Sequence, residues 1–147
     1  MPSFGYVPAL TKLAKGDLDF DTAPIRVKAV MSNTTCGSQR TAANLAAFTT
    51  IDEYNGAGYT EATLAGVSVA SDLANLRCEI DFSDFTFGAA VSAGSRQGVG
   101  LLIYYRVDGT AANDWPIAFV DSSSSPFQGT GAGLSVQINA EGLLQVS

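Results

Sequence analysis

The sequence predicts a mainly β fold. We expect one domain over residues 1–147, built as an antiparallel β-sandwich or an open barrel with a short N-terminal helix and an extended N-terminal arm. From Tyr59 onward, short apolar segments recur between Gly- and Ser-containing turns, which is the spacing of antiparallel sheets. The length suits a single core. With 46% hydrophobic and 15% charged residues, the chain is far from the apolar-poor, highly charged composition of disordered segments.

The N-terminal part predicts an arm, a helix and a strand, in that order. The arm covers residues 1–7 and the helix covers residues 8–15. A proline opens the helix, where its missing N–H costs nothing, and Gly16 ends it. At Ile25–Met31, apolar residues alternate with Arg26 and Lys28, which predicts a half-buried strand.

The middle of the chain leaves one alternative open. The Ala-rich segment Thr41–Thr49 favours a short helix, although Thr49–Ile51 equally suits the start of a strand. Two β-patterned segments, Tyr59–Leu64 and Val67–Ser71, flank the dipeptide Ala65-Gly66. A two-residue connection between such segments predicts a β-hairpin.

The second half is dominated by one long apolar run. Val99–Val107 is almost wholly apolar, which indicates a central strand buried on both faces, and Ile117–Val120 is expected to pair with it. Arg77–Phe82 and Phe85–Phe87 are either two strands or one bent strand. The last strands are expected to lie on either side of a turn at Asn139–Gly142, at Leu134–Ile138 and Leu143–Val146.

The charge pattern excludes some partners. The net charge is −6, and the eight basic residues are scattered without any adjacent pair. A sequence-independent nucleic-acid binder needs clustered cations, so no nucleic-acid partner is expected. No apolar run approaches the roughly 20 residues of a membrane span, so no membrane partner is expected either. The N-terminus lacks the pattern of a signal peptide, which predicts a cytoplasmic protein until assembly or lysis.

The low charge also bears on the surface. A surface with few charges is often apolar and covered by a partner, because contiguous apolar patches mark interaction sites. The alternative is that Ser, Thr, Asn and Gly keep the surface soluble. We favour the interaction surface and leave the alternative open.

No residue pattern predicts catalysis, a cofactor or a metal. The chain has no histidine, so Ser-His-Asp and Cys-His mechanisms are excluded. Asp17–Asp21 resembles the start of a calcium loop, but Thr22 and Lys28 stand where glycine and glutamate are needed. The segment is better interpreted as a solvated acidic turn. The spacing of Asp81 and Asp84 is common at strand ends and does not indicate a glycosidase.

The two cysteines allow one disulfide but do not require it. Cys78 shares a strand face with Ile80 and Phe82, which favours a free, buried thiol. Cys36 lies in the Ser/Thr/Asn-rich loop Ser32–Arg40, where exposure is expected. Neither cysteine has the spacing of a zinc site.

Glycines and aromatic residues have both functional and structural interpretations. The glycines of Asn55–Gly58 and Gly98–Gly100 lead into β-patterned sequence rather than a helix, so turns are favoured over a phosphate-binding loop. One interpretation of five aromatic side chains is a sugar-stacking platform: Tyr54, Tyr59, Tyr104, Tyr105 and Trp115. We favour a core role for Tyr104 and Tyr105, whose side chains point to opposite faces of a strand.

The order of several segments resembles a group of small tailed-bacteriophage virion proteins. The first is an N-terminal helix that ends in a Gly-Asp-Leu-Asp turn at Gly16–Asp19, followed by the strand that starts at Ile25. The second is Asp52-Glu-Tyr-Asn-Gly-Ala-Gly-Tyr59, followed by a hairpin over Thr63–Val69. The third is the pair Ile103-Tyr104, with the segment Pro116 to Asp121 after it. The chain departs from these proteins chiefly in its longer loop around Cys36.

This resemblance implies a non-enzymatic virion component without a cofactor. We expect a capsid decoration or cement protein that bridges neighbouring capsomers and contacts the major capsid protein, other virion proteins or copies of itself. The partner interface is predicted in the arm, at Pro2, Phe4, Tyr6 and Val7. A tail or neck component is the alternative, and a carbohydrate-binding attachment module is a further one. The expected location is the virion, on the capsid surface rather than the tail, with host cytoplasm during assembly.

Overall fold

The prediction of a mainly β fold with a short N-terminal helix is confirmed. The computed structural model describes residues 3–20, 22, 24–138 and 144–146. One α-helix, α1, spans Val7–Lys15, one residue longer than predicted, and a 3₁₀ turn spans Leu45–Ala47. The strands in chain order are β1 (Phe4–Gly5), β2 (Ile25–Met31), β3 (Ala62–Thr63), β4 (Ser68–Asp72), β5 (Arg77–Asp81), β6 (Phe85–Thr86), β7 (Gly98–Tyr105), β8 (Trp115–Asp121), β9 (Ser135–Val136) and β10 (Leu144–Val146).

These strands form three antiparallel sheets. The large sheet has five strands in the order β1-β8-β7-β2-β3. A three-stranded sheet, called here the small sheet, has the order β10-β5-β4, and β6 pairs with β9 in a two-stranded sheet. Strands β1 and β3 form the edges of the large sheet, and β4 forms an edge of the small sheet.

Strand β7 is the centre of the large sheet, as the long apolar run predicts. It pairs with β2 on one side and with β8 on the other, so that Ile103 lies between Val27 and Ala118. Alternate residues of β7 enter different apolar cores. Ile103 belongs to the core that also contains Ile80 of the small sheet, called here the first core, whereas Leu102 belongs to the core on the opposite face, called the second core. The large sheet is therefore covered on both faces, which explains the apolar sequence of its central strand.

The predicted hairpin around Ala65-Gly66 is wrong. The predicted strand Tyr59–Leu64 contains only the short β3, which pairs with β2, whereas β4 pairs with β5. Between them, the Leu64 N–H donates to the Ile25 carbonyl and the Ser83 N–H donates to the Ala65 carbonyl. The chain therefore passes from the large sheet to the small sheet at this point. In the observed pairing, β2 and β5 supply the partners that satisfy the backbone groups of β3 and β4.

The chain end and the Ala-rich segment also differ from the predictions. Strand β9 pairs with β6 and β10 pairs with β5, so the two last strands are not partners of each other. The predicted turn at Asn139–Gly142 lies outside the described residues. Strands β5 and β6 belong to different sheets, which settles the open alternative in favour of two strands. The segment Thr41–Thr49 forms only the 3₁₀ turn, and Thr49–Ile51 is not in a strand.

Candidate functional site: two apolar surfaces and a charged cleft

The N-terminal arm lies against the chain's own large sheet. Strand β1 pairs with β8, with Phe4 opposite Phe119. The Tyr6 side chain is fully buried, and its hydroxyl donates to the Cys36 carbonyl oxygen at 2.8 Å. The Tyr6 ring also packs edge-on against Phe48, with centroids 5.5 Å apart. The arm therefore supplies one edge strand and an aromatic anchor to its own fold.

The four residues predicted to form the partner interface are placed very differently. Pro2 lies outside the described residues. Phe4 is half-buried, and the Arg40 guanidinium lies 4.2 Å from its ring centre. Tyr6 has no exposed surface, so it reaches a partner only if the arm leaves its sheet. Val7 is 55% exposed, and the interface assignment of all four stays a prediction.

A second apolar residue is exposed on the same face of α1 as Val7. Leu10, three residues further along α1, is 45% exposed, and residues three apart lie on the same helix face. Ala9 is buried in the same helix, and the Val7 N–H donates to the Arg40 carbonyl oxygen at 3.1 Å. We call Val7 and Leu10 the N-terminal surface. It is a small apolar patch held in place by the packing of α1 and by this backbone hydrogen bond.

A second apolar surface lies at the tip of the β4–β5 hairpin, between two segments that the sequence predicted as strands. Leu73 and Leu76 are 80% and 83% exposed. Asp72 holds the turn, because its carboxylate accepts the N–H groups of Ala74 and Asn75 at 3.1 and 3.2 Å. The signal that could have identified this tip is a pair of leucines beside turn-forming Asp and Asn residues.

Strand β4, which leads into this turn, has one unpaired edge. Its residues are exposed except for the half-buried Asp72, and within the described residues no strand pairs with its outer side. Val69, which is 54% exposed, lies opposite Ile80 and so shares its sheet face. We refer to β4, β5 and the turn between them as the apolar hairpin.

A charged cleft of about 530 Å³ is the third feature. It opens beside β2, where the alternation predicted from sequence directs Lys28 away from the first core. Its lining combines ionisable side chains with the apolar Leu45 and Ile51. The ionisable lining residues are Lys28, Asp52, Glu53, Glu61, Tyr104, Arg106 and Asp114.

Glu61 is the centre of the ion-pair network in this cleft. Lys28 Nζ lies 2.8 Å from one Glu61 carboxylate oxygen, and the Tyr104 hydroxyl donates to the same oxygen at 2.6 Å. Arg106 and Arg26 approach the other oxygen at 3.3 and 3.4 Å. Lys28 also pairs with Glu53 at 2.7 Å. The network ties β2, β7 and the segment before β3 together.

These contacts fix the charges in the cleft. Burial acts to raise the pKa of Glu61, but the hydrogen bonds from Lys28 and Tyr104 outweigh it and hold the pKa below its usual value. Burial acts to lower the pKa of Lys28, but hydrogen bonds to Glu53 and Glu61 outweigh it and raise the pKa. Burial first, and then the Glu61 carboxylate, raise the pKa of Tyr104. None of these three shifts brings a group toward the near-neutral pKa that general acid–base catalysis favours.

Asp114 closes the other wall of the cleft. It is only 2% exposed, and one of its oxygens accepts the N–H groups of Val107, Asp108 and Gly109 at 2.8, 3.2 and 3.2 Å. A buried carboxylate is stable when backbone donors satisfy it in this way. Asp114 is thus committed to holding the loop after β7.

The Asp52–Tyr59 segment, which carries part of the resemblance, is a structural clamp. The Tyr54 side chain is buried, and its hydroxyl accepts the N–H groups of Gly94 and Gly129 at 2.8 and 2.7 Å. A Cβ on Gly56 would lie 2.0 Å from the Ser92 carbonyl oxygen, so only glycine fits. Gly58 has φ +84°, as its interpretation as a turn residue predicts.

The aromatic residues have roles inside the fold. Tyr104 enters the core opposite the one against which Tyr105 packs, which confirms the prediction of opposite faces. The Tyr105 ring stacks on Trp115 with centroids 5.0 Å apart, and Lys12 Nζ lies 3.6 Å from the centre of a Trp115 ring. These contacts occupy ring surface on which a sugar would stack.

The cysteine prediction is half wrong. Both thiols are free, but Cys36 is buried and Cys78 only half-buried. The Cys36 loop is polar, yet Thr35 binds it to the Thr50 backbone in both directions, with distances of 2.9 to 3.1 Å. This pairing folds the loop over the second core and covers the thiol. Burial raises the pKa of Cys36 to about 11, so the thiol is unreactive at neutral pH.

The acidic pairs singled out in the sequence have structural partners or stay solvated. Asp81 accepts the N–H of Phe82 at 2.8 Å, and Asp84 accepts that of Ile138 at 2.7 Å. Asp17 and Asp19 are exposed. Among the described residues, no group of three or more Asp, Glu or Cys side chains is arranged to hold a metal ion. In the same part of the chain, no helix has the length and apolarity of a membrane span.

Comparisons with known proteins leave the family open. No family model matches the chain, no curated protein is similar to it, and no solved structure matches its fold. The resemblance to tailed-phage virion proteins therefore stays a prediction from the sequence. The two apolar surfaces and the charged cleft are the structural features that bear on function.

Proposed function

We propose that this chain is a non-enzymatic structural protein of a tailed-phage virion and acts as a capsid decoration protein that stabilises neighbouring capsomers. The observation that carries the proposal is the grouping of exposed apolar side chains into the N-terminal surface and the apolar hairpin. Exposed apolar patches mark interaction sites, and the chain has few charges to solubilise them. The order of the segments along the chain resembles that of phage virion proteins, and this resemblance indicates the class of partner.

The N-terminal surface is the proposed contact with the major capsid protein. Val7 and Leu10 project from a helix whose preceding residue, Tyr6, is anchored in the second core. A rigid contact loses little conformational entropy on binding, so a small apolar patch contributes more to the affinity. Many copies on a repeating lattice would further raise the effective affinity through multivalency.

The charged cleft supports a structural role better than a catalytic one. Its cations and carboxylates neutralise one another at distances of 2.7 to 3.4 Å. A general acid needs a carboxyl with a raised pKa, whereas that of Glu61 is lowered. The cleft therefore acts as a brace between strands of the large sheet.

The test is quantitative mass spectrometry of purified particles, which counts copies of this chain per major capsid protein. A ratio near one, or a simple fraction such as one third, is the expected result. A ratio of a few per hundred would move the chain to the tail or neck. Absence from particles would contradict the virion assignment altogether.

Point variants test the proposed contact better than deletion of the arm, because deletion would remove Tyr6 from the core. The double variant Val7→Asp with Leu10→Asp should fold normally and lose most of its incorporation into particles. Val107→Asp is the matched control, since Val107 is also apolar and 48% exposed but belongs to the loop after β7 and not to α1. Equal incorporation of both variants would contradict the assigned surface.

A further inference from the structure

The outer edge of β4 lacks the features that usually protect an exposed strand. Edge strands expose unpaired N–H and C=O groups, and proteins commonly block them with lysine, proline, a bulge or a covering segment. The sequence of β4 is Ser-Val-Ala-Ser-Asp, and its pairing with β5 runs without a register shift. Within the described residues, the strand is therefore free of bulges, uncovered at its outer edge and free of positive charge.

The sequence of β4 is complementary to itself. If two copies pair antiparallel with Ala70 opposite Ala70, each Ser68 lies opposite Asp72 of the second copy, so that a small uncharged side chain faces the carboxylate. On the other face, Val69 lies opposite Ser71 of the second copy. The exposed Leu73 comes to lie opposite Val67, which is already half-buried against the first core.

The charges also permit this pairing. Asp72 is the one charged residue of β4, and Arg77 of the same chain lies 3.2 Å from its carboxylate. In this register each Asp72 lies opposite an uncharged Ser68, so no two carboxylates face each other across the pair. The turn residues that flank the pair, from Leu73 to Leu76, are uncharged.

We propose that β4 is a self-association edge through which two copies of this chain pair antiparallel about Ala70, forming one continuous six-stranded sheet. The pairing satisfies the outer backbone groups of both strands and covers Leu73 with apolar surface. It follows from the strand edge alone and does not depend on the virion assignment.

Cysteine cross-linking tests the register of this pairing. Directly opposite residues of paired strands lie about 4.5–5.5 Å apart, within reach of a disulfide. Ala70→Cys, in a chain carrying Cys78→Ser, should therefore oxidise to a covalent dimer. Ser71→Cys in the same background is the matched control, because the two Ser71 positions would be diagonal neighbours about 7–8 Å apart. Equal cross-linking of both variants, or of neither, would overturn the proposal.

Sedimentation of the full chain tests the association itself. The unmodified protein should sediment at twice its 15.2 kDa mass at high concentration and dissociate on dilution. Val69→Lys should remain folded and monomeric, whereas Val107→Lys should dimerise like the unmodified chain. A protein that stays monomeric at every concentration would overturn the proposal, as would a β4 edge that becomes protected only when the chain is bound to particles.

Discussion

Strands β7 and β4 differ most in burial and in pairing. Strand β7 is paired on both edges and its residues are almost all buried, whereas β4 is paired on one edge and its residues are almost all exposed. Burial on both faces provides most of a sheet's hydrophobic stabilisation. The comparison indicates that the large sheet holds the fold together, while the small sheet leaves one strand edge unpaired within the described residues.

A matched pair of leucine truncations gives the largest expected difference between these regions. Leu102→Ala removes a fully buried side chain from β7 and should lower the free energy of unfolding by about 2–5 kcal/mol. Leu76→Ala removes a side chain that is 83% exposed and should change it by less than about 0.5 kcal/mol. Chemical denaturation measures both. Similar losses would contradict the division between the sheets.

Removing the hydroxyl of the Tyr54 clamp should give the next largest change in the free energy of unfolding. Tyr54→Phe leaves the N–H groups of Gly94 and Gly129 without their acceptor and should cost about 1–3 kcal/mol of unfolding free energy. Tyr105→Phe is the control, because the Tyr105 hydroxyl has no hydrogen bond among the described residues. Thermal denaturation of the two variants compares them, and equal melting temperatures would show that the clamp adds nothing.

Lowering the pH should destabilise the large sheet, because Glu61 becomes protonated. Because the pKa of Glu61 is depressed in the folded chain, its contribution is present above the unfolded value of 4.5 and is lost as the pH falls through the lower, folded pKa. Glu61→Gln should cost about 1–2 kcal/mol at neutral pH and flatten this acid dependence. Glu79→Gln in the small sheet is the control variant. An unchanged slope in Glu61→Gln between pH 6 and pH 3, measured by urea denaturation, would argue against the brace.

The smallest expected effect is a gain of stability at the hairpin tip. Leu76 has φ +53°, in the left-handed region that favours glycine. Leu76→Gly should therefore raise the free energy of unfolding by about 0.5 kcal/mol. Leu73→Gly is the control, because Leu73 does not have a positive φ and should gain nothing. A loss of stability in Leu76→Gly as large as that in Leu73→Gly would contradict backbone strain at Leu76.

The sequence predicted strands better than it predicted their partners. The apolar run that contains β7 and the alternation of β2 identified both strands, since burial on one or two faces leaves a direct pattern. The pairing of β3 and β4 was predicted wrongly because alternation specifies a face and not a neighbour. Local turn chemistry suggested a hairpin, but contacts distant in sequence decided the topology.

The candidate surfaces were predicted in part. Val7 was singled out and is exposed, whereas Tyr6 is buried because the arm finds an edge strand in its own chain. The burial of Cys36 was missed because hydrogen bonds from Thr35, rather than apolar periodicity, fold its loop over the core. The apolar tip was missed because leucines in a turn produce no periodic signal.

Amide hydrogen exchange at two protein concentrations tests the difference between β7 and β4 most directly. The amides of β7 should exchange slowly at both concentrations, because they are paired and buried. The outward-facing amides of β4 should exchange rapidly in dilute solution and become protected as the concentration rises. Rapid exchange in β4 at every concentration would contradict self-association. Slow exchange in β4 even in dilute solution would contradict the open edge.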